Sequence, residues 1–144
     1  KHTTRMPYMK PVYDVLEKNR GKVIYFDFWA RWCPPCLAEM EPLKQLRSKF
    51  STDDLIIYSI CVSEPKEQWE ECLNEYSLKN RGIECVHVTD YLGINNYQKI
   101  RKQWKIDRMP YYVLINRKGQ IIDFGTAARP SNPQLVSRIE EAVK

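Results

Sequence analysis

The chain is organised around the stretch Tyr25-Phe-Asp-Phe-Trp-Ala-Arg-Trp-Cys-Pro-Pro-Cys36. Apolar and aromatic residues run almost unbroken from Val23 to Trp29, as in a strand that is covered on both faces. Asp27 interrupts this run, and a carboxyl group in such a place must be hydrogen-bonded, functional or partly protonated. The pattern after Cys36 is helical. We therefore predict a buried strand, a turn that carries two cysteines, and a helix.

The two cysteines fit a redox pair better than a zinc site. A structural zinc ion needs four ligands, and the sequence has no second C-x-x-C and no H-x₃₋₅-H. At the start of a helix, unpaired N–H groups and the positive end of the helix dipole stabilise a thiolate, so the pKa of Cys33 should lie below the free value of about 8.5. We therefore predict that Cys33 attacks a substrate disulfide and that Cys36, one turn further into the helix, resolves the mixed disulfide.

The acidic residues near this pair each have two interpretations. Asp27 is either the general base that takes and returns the proton of Cys36, or a carboxylate that is hydrogen-bonded at the end of a strand. Glu39 and Glu41 either tune Cys33 or simply interact favourably with the dipole of the helix on which they lie.

The tryptophans and the remaining cysteines are assigned by their positions in the predicted elements. We expect Trp29 in the core and Trp32 at an exposed rim, where it shields the disulfide and contacts substrate. Side chains on predicted apolar faces are more often buried structural groups than second reactive centres. A structural role is therefore the prediction for Cys61, Cys72, Cys85 and His87.

Length and composition indicate one ordinary globular domain. With 144 residues, 43% hydrophobic and 28% charged, the chain is long enough for a real core, and we predict a single domain over residues 1–144 with 1–10 as a lead-in. Lys+Arg 23 against Asp+Glu 18 gives a net charge of +5 without a nucleic-acid motif, so no nucleic-acid binding is expected. No apolar run approaches the length of a membrane span, about 18 residues. Because the chain begins at Lys1 rather than Met, we interpret it as a mature or excised fragment of a longer protein.

The rest of the pattern alternates helices with strands. Helices are predicted at residues 12–19, from 33 onward, from 65 towards 82, at 97–104, and after a cap at Ser131 or Asn132. Strands are predicted at residues 22–29, 55–62, 83–88, 111–115 and 120–124, the last two as a hairpin. A kink is predicted at Pro42, since its missing N–H would leave the carbonyl of Ala38 unpaired. This order predicts an α/β fold in which a central mixed sheet is flanked by helices on both faces.

The segment Phe28-Trp-Ala-Arg-Trp-Cys-Pro-Pro-Cys36 resembles the active-site segment of the thioredoxin superfamily. The two prolines between the cysteines and Glu39 after them resemble the TlpA/ResA-like envelope thiol-disulfide oxidoreductases. The segment Met109-Pro-Tyr-Tyr-Val-Leu-Ile-Asn-Arg-Lys-Gly-Gln-Ile121 is similar to the proline-strand-turn-strand of that group, and Ala128-Arg-Pro-Ser131 also looks like its members. The resemblance covers most of the chain and implies a thioredoxin-like fold.

The resemblance also implies roles for individual residues. It makes Cys33 the nucleophile, Cys36 the resolving thiol, and Pro110 a cis-proline that faces the disulfide. The backbone of Met109 would pair with a bound peptide in the manner of a β-strand. The substrate-binding surface is accordingly expected at Trp32, Pro34, Met109 and Pro110.

The resemblance further implies partners and a compartment. The expected partners are protein thiol or disulfide substrates and a redox partner protein. The expected location is the periplasm or cell envelope of a bacterium, with any membrane contact made through an N-terminal anchor that is not in this sequence. The redox-active disulfide Cys33–Cys36 would be the reactive group, and neither a bound cofactor nor a metal is expected.

Some residues depart from the pattern of the group. Asp27 is the choice of thioredoxin itself, whereas many TlpA-like proteins carry another residue there, and the next strand offers Ser59 but no lysine to pair with it. Met109 is bulkier than the Thr, Val or Ile common at its position. The predicted function is dithiol/disulfide exchange through Cys33-Pro-Pro-Cys36 that reduces protein disulfides. The alternatives are a disulfide oxidase or isomerase, and a non-catalytic thioredoxin-like interaction domain of a larger protein.

Overall fold

The computed structural model describes residues 10–62, 65–88, 98, 101–102 and 105–144, with only the backbone at 10–13. The helices in these ranges are α1 (Lys10–Lys18), α2 (Pro34–Ala38), α3 (Met40–Lys49), α4 (Lys66–Glu75) and α5 (Pro133–Ala142). The strands are β1 (Val23–Trp29), β2 (Leu55–Cys61), β3 (Ile83–His87), β4 (Tyr111–Ile115) and β5 (Ile121–Gly125). Each of these elements lies on a predicted one, with α2 and α3 both inside the single helix predicted from Cys33 onward. The other bounds differ from the predicted ones by a few residues at most, except that α4 ends well before Gly82.

β1 lies at the centre of a five-stranded sheet with the order β3-β2-β1-β4-β5. β1, β2 and β3 are parallel to one another, while β4 and β5 are antiparallel to their neighbours. All seven residues of β1 are buried. The predicted mixed sheet and the predicted covering of the first strand on both faces are therefore confirmed.

Helices pack on both faces of β1, whose successive side chains point in opposite directions. On one face, Phe26 shares a core cluster with Val15 of α1. On the other face, Tyr25 shares a cluster with Leu43 of α3 and Leu135 of α5. At the carboxyl end of β1 a third cluster surrounds Trp29, with residues of α2, α3 and α4: Cys36, Met40, Trp69, Cys72 and Leu73.

The helix predicted after Cys33 is in fact two helices. α2 ends at Ala38 and α3 begins at Met40, and Glu39 (φ −92°, ψ 1°) lies between them. The predicted interruption by Pro42 is present as a full break rather than a kink, because α2 ends at Ala38, the residue whose carbonyl the missing N–H of Pro42 cannot bond. This break places Pro42 in the first turn of α3, where a proline loses no intrahelical hydrogen bond.

Local hydrogen bonds fix the ends of the C-terminal elements. Asn132 caps α5, since its side-chain oxygen accepts a hydrogen bond from the backbone N–H of Gln134 at 3.0 Å. In the β4–β5 hairpin, Asn116 Oδ1 accepts from the backbone N–H groups of Lys118 and Gln120 at 3.0 and 2.9 Å. Gly119 completes that loop with a φ of +82°, a conformation that favours glycine.

Two predictions concern residues that are wholly or mostly outside the described ranges. Of the predicted lead-in 1–10, only Lys10 is described, and α1 begins there rather than at Val12. The predicted helix at 97–104 depended on Tyr97, Ile100 and Trp104, none of which is described. In the ranges that are described, no helix combines the length and the apolar character that crossing a membrane requires.

Arg117 joins three parts of the chain at the end of the sheet opposite the cysteines. Its guanidinium group donates hydrogen bonds to the carbonyl of Gly21 at 3.0 Å, to Asp54 Oδ1 at 3.0 Å and to the carbonyl of Val143 at 2.7 Å. The side chain of Arg117 is 33% exposed, so water screens this network only partly. The planar guanidinium therefore ties the start of β1, the start of β2 and the end of α5 together.

Arg117→Lys is expected to lower the free energy of unfolding by about 1 kcal/mol, because an ammonium group keeps the charge but not the geometry that reaches three acceptors. Urea denaturation measures this difference. Arg20→Lys is the matched control, since Arg20 forms an exposed ion pair with Glu17 on the surface. Equal unfolding midpoints for the Arg117 and Arg20 variants would show that the three-way contact adds no stability.

Candidate functional site

The candidate site lies where β1 ends and α2 begins. Cys33 directly precedes α2, and a disulfide joins it to Cys36 with a Cα–Cα distance of 5.2 Å. This is the placement that the sequence predicts, with Cys33 at the helix N-terminus and Cys36 within the first turn. A dithiol in this position can form a disulfide without backbone movement, since the helix holds both sulfur atoms within bonding distance.

The Cys33 sulfur occupies the position of a helix cap. Cys33 has an extended backbone, and its Sγ accepts a hydrogen bond from the backbone N–H of Cys36 at 3.2 Å. Pro34 and Pro35, the first two residues of α2, have no N–H to offer. The first N–H of the helix therefore points at the sulfur, where it would stabilise a thiolate by a charge-assisted hydrogen bond.

The disulfide is shielded from solvent on its inner side. Cys33 is 4% exposed and Cys36 is 2% exposed, so the two cysteines are almost equally buried. Trp29 is fully buried beside them, as predicted. Trp32 is 62% exposed, which agrees with its predicted place at the rim, and Pro34 is exposed as well.

The Met109–Pro110 peptide bond is cis, as the resemblance implies. Met109 is partly buried and packs against the cluster that contains Cys33 and Cys36. The carbonyl of Pro110 accepts a hydrogen bond from Thr126 Oγ1 at 2.8 Å, which fixes the start of β4 against the end of β5. The structure thus brings the residues before β4 to the cysteines, although they are far apart in sequence.

Asp27 is buried in the central strand, with 4% of its surface exposed. Burial, and secondarily the nearby carboxylate of Glu39, raise the pKa of Asp27 to about 8. In the sheet register, Ser59 of β2 and Tyr112 of β4 flank Asp27. Because its pKa lies near neutral pH, Asp27 is able to bind and release a proton under ordinary conditions.

Glu39 links the α2–α3 break to the segment before α5. Its carboxylate accepts hydrogen bonds from the backbone N–H of Ser131 at 3.0 Å and from Ser131 Oγ at 2.7 Å. Arg129 lies 3.8 Å from the same carboxylate. The sequence pattern marked Ser131 only as a possible helix cap, and no local signal pairs it with a residue so distant in the chain.

A shallow groove of about 230 Å³ beside the disulfide was also missed by sequence reasoning. Its lining residues come from the cysteine turn, α2 and the end of α4: Arg31, Trp32, Leu37, Cys72, Glu75 and Tyr76. Arg31 Nη1 donates a hydrogen bond to Gln68 Oε1 at 3.2 Å and so ties the turn to α4. The apolar face of α4 predicted that this helix is buried, but it did not predict that α4 lies beside the cysteine turn.

The cysteines outside the pair are core residues. Cys61 and Cys72 are buried and Cys85 is half-buried, in agreement with their predicted structural role. Burial raises the pKa of both Cys72 and Cys85 to about 11, so these thiols stay protonated at neutral pH. His87 is also buried, with its ring 5.5 Å from that of Trp69. Among the residues that the structure describes, no three His, Cys, Asp or Glu side chains are grouped to hold a metal ion.

Comparison with known proteins identifies the family. The sequence matches the Redoxin family over residues 11–143. The chain belongs to the Redoxin family. It is 25% identical over 134 residues to the thiol-disulfide oxidoreductase ResA of Halalkalibacterium halodurans, a match that covers 90% of this chain and 66% of that protein. The chain therefore spans just under two thirds of the length of this redoxin relative.

Solved structures extend the comparison. A Bacteroides vulgatus protein described as a candidate thiol-disulfide oxidoreductase has a solution structure that is 32% identical, with a TM-score of 0.69 over 88% of this chain and 76% of that one. The crystal structure of the thioredoxin domain of another Bacteroides vulgatus thiol-disulfide oxidoreductase has a TM-score of 0.74 at 21% identity, over 90% of this chain and 84% of that one. The thioredoxin-like fold is thereby confirmed, as is the resemblance to the TlpA/ResA-like group.

Asp27→Asn is expected to make this redoxin more stable at pH 8 and to flatten the dependence of its stability on pH. Asp27 binds its proton up to a pH of about 8 when folded, but only up to about 3.9 when unfolded. Its contribution to the free energy of unfolding is therefore full below about pH 4 and is lost as the pH rises towards 8. Urea denaturation of the disulfide form at pH 5 and pH 8 measures the change, which we expect to be on the order of a few kcal/mol.

Asp53→Asn is the control for this experiment, since Asp53 is an exposed carboxyl group in the turn before β2. Stability that falls equally between pH 5 and pH 8 in the wild type and in Asp27→Asn would contradict the neutral, buried state of Asp27.

Proposed function

We propose that this chain is a thiol-disulfide oxidoreductase that reduces protein disulfides through Cys33 and Cys36. The observation that carries the proposal is the disulfide at the start of α2, in which Cys33 Sγ accepts the first backbone N–H of the helix at 3.2 Å. That hydrogen bond favours the thiolate of Cys33 once the disulfide is reduced. Membership of the Redoxin family and the thiol-disulfide oxidoreductases among its relatives support the same chemistry.

The proposed reaction proceeds in two exchanges. The thiolate of Cys33 attacks one sulfur of the substrate disulfide, which forms a mixed disulfide and releases the first substrate thiolate. Cys36 then loses its proton, and its sulfur attacks Cys33 Sγ. The second substrate sulfur leaves as a thiolate, which takes its proton from solvent, and the Cys33–Cys36 disulfide is restored. Two electrons pass from the protein dithiol to the substrate, and the reaction requires no other cofactor.

Asp27 is the proposed proton carrier for Cys36. A carboxyl group with its pKa near 8 changes its protonation state close to neutral pH, as a general acid or base must. Asp27 lies two residues before Trp29 on the same face of β1, which is the face that the cysteine-bearing helix covers. It would accept the proton of Cys36 during substrate reduction and return it when a partner reduces the disulfide.

The proposed substrate surface surrounds the disulfide with four residues: Trp32, Pro34, Met109 and Pro110. Trp32 and Pro34 are exposed on the cysteine turn. Met109 lies against the same apolar cluster as the cysteines, so a peptide that pairs with its backbone would pass over the disulfide.

The physiological setting forms part of the proposal. The substrates are protein disulfides, and a second redox protein restores the dithiol. Resemblance to envelope thiol-disulfide oxidoreductases favours export to the periplasm or cell envelope. The chain as a single domain, 1–144, is consistent with the family match over residues 11–143.

An insulin-reduction assay with dithiothreitol tests the activity. Cys33→Ser is expected to abolish the acceleration seen with the wild type, because no thiolate is left to attack. Cys36→Ser is expected to accumulate a mixed disulfide that mass spectrometry detects. Cys85→Ala is the control, with expected wild-type turnover. Equal rates for the wild type and Cys33→Ser would favour a non-catalytic interaction domain instead.

The direction of electron flow is tested by titrating the Cys33–Cys36 couple against glutathione or dithiothreitol buffers. A reductase should have a potential towards the thioredoxin value of about −270 mV. A value near about −120 mV, typical of strong oxidants, would overturn the reductive assignment and favour a disulfide oxidase or isomerase.

A further inference from the structure

Four polar side chains form one row across the sheet on the face covered by α3 and α5. Asp27 of β1 is in register with Ser59 of β2 and with Tyr112 of β4, and Ser59 is in register with Cys85 of β3. Neighbours in register on adjacent strands point to the same face, with Cβ atoms about 5 Å apart. A carboxyl group in the central strand thus has a hydroxyl-bearing neighbour on each side.

Both neighbouring hydroxyls are buried without a hydrogen-bond partner in the described part of the chain. Ser59 and Tyr112 are each 0% exposed. Neither Ser59 Oγ nor Tyr112 Oη has a partner among the described residues. Buried polar groups are nearly always paired, so two such hydroxyls on either side of one carboxyl group call for an explanation.

The other titratable groups that interact with Asp27 come from β1, β3 and the α2–α3 break: Tyr25, Cys85 and Glu39. Arg129, from the segment before α5, lies beside Glu39 and interacts with Tyr112. From α3 and α5 this face receives apolar side chains: Leu43, Leu46, Leu135 and Ile139.

Three of those titratable groups already have partners. Tyr25 Oη donates to the carbonyl of Ala128 at 2.7 Å. The Cys85 thiol lies 3.8 Å from the carbonyl of Leu78. Glu39 is held by Ser131, as described above. The hydroxyls of Ser59 and Tyr112 therefore remain available to Asp27, as does the indole N–H of Trp29, which is also buried without a partner among the described residues.

We propose that Ser59 and Tyr112 are positioning residues that stabilise the carboxylate form of Asp27 by donating their hydroxyl hydrogens to it. This inference rests on the proposed function, in which Asp27 gives its proton to Cys36 when the disulfide is reduced. A neutral carboxyl group needs few donors, whereas a carboxylate accepts several. The two hydroxyls take the place of the lysine that the sequence lacks next to Asp27.

The proton balance of this step is simple. Reduction of the Cys33–Cys36 disulfide by a partner dithiol adds two electrons, and the partner becomes a disulfide and releases its two thiol protons to solvent. Cys33 is left as a thiolate, and the proton of Asp27 passes to Cys36 Sγ. Ser59 and Tyr112 keep their own protons, and their side chains shift to bring both hydroxyls within hydrogen-bonding distance of the new carboxylate. When Cys36 later attacks Cys33, the proton returns to Asp27 and the hydroxyls are released.

The test is a ¹³C NMR titration of the Asp27 side-chain carboxyl in the disulfide form, in Ser59→Ala, Tyr112→Phe and the double variant. Removing a donor to the carboxylate disfavours it, so the pKa of Asp27 should rise by about one unit in each single variant and further in the double variant. Asp27→Asn identifies the signal.

Two matched controls accompany these variants. Ser59→Thr keeps the hydroxyl and should titrate as the wild type does. Tyr25→Phe removes the hydroxyl of the tyrosine whose ring stacks on Tyr112 with centroids 5.7 Å apart, but that hydroxyl is bonded elsewhere, so the Asp27 titration should not move. If Ser59→Ala fails to fold, comparing the Asp27 pKa in Tyr112→Phe with that in Tyr25→Phe still tests the inference.

An unchanged or lowered Asp27 pKa in both Ser59→Ala and Tyr112→Phe would overturn the inference. The readout needs no turnover, so it is separate from the insulin assay. Loss of activity in Cys33→Ser together with an unmoved Asp27 titration would sustain the proposed function and reject the role of the two hydroxyls. A moved titration with full activity in Asp27→Asn would keep the hydroxyl contacts and reject Asp27 as the proton carrier.

Discussion

Complete burial of β1 is the constraint on which the rest of the structure depends. All seven of its residues are covered, because β2 and β4 pair with its two edges and helices cover its two faces. β1 ends at the cysteine turn, and the position of that end determines where α2 begins. The same burial places Asp27 in surroundings that disfavour its charge. The position of the disulfide and the chemistry of the carboxyl group therefore have one cause.

Two prolines and one glutamate adapt an ordinary strand-to-helix connection to sulfur chemistry. Pro34 and Pro35 remove two backbone donors from the start of α2, which leaves the N–H of Cys36 to contact the Cys33 sulfur. Glu39 ends that short helix and is held by Ser131 from the far end of the chain. The cysteine-bearing helix is thus fixed at its start by its own sulfur and at its end by a distant loop.

Features coded by neighbouring residues were predictable from the sequence, and features that depend on distant residues were not. The apolar run of β1, the Asn116–Gly119 loop and the cap of α5 each follow from residues close together in the chain. The contacts of Glu39 with Ser131 and Arg129 did not, since only the folded chain brings these residues together. The row through Asp27 likewise requires the strand register, which no single stretch of sequence contains. The cis bond at Pro110 came from the resemblance rather than from local chemistry.

The cluster around Trp29 places further thiols close to a reactive disulfide, with Cys61 and Cys72 inside it and Cys85 packed against it. Such crowding ordinarily invites disulfide shuffling, in which a neighbouring thiolate captures the wrong sulfur. Here the apolar surroundings keep Cys72 and Cys85 protonated at neutral pH, and a protonated thiol is a poor nucleophile. The core that supports the disulfide therefore also insulates it chemically. At neutral pH the thiols of Cys72 and Cys85 therefore do not compete with the Cys33–Cys36 pair.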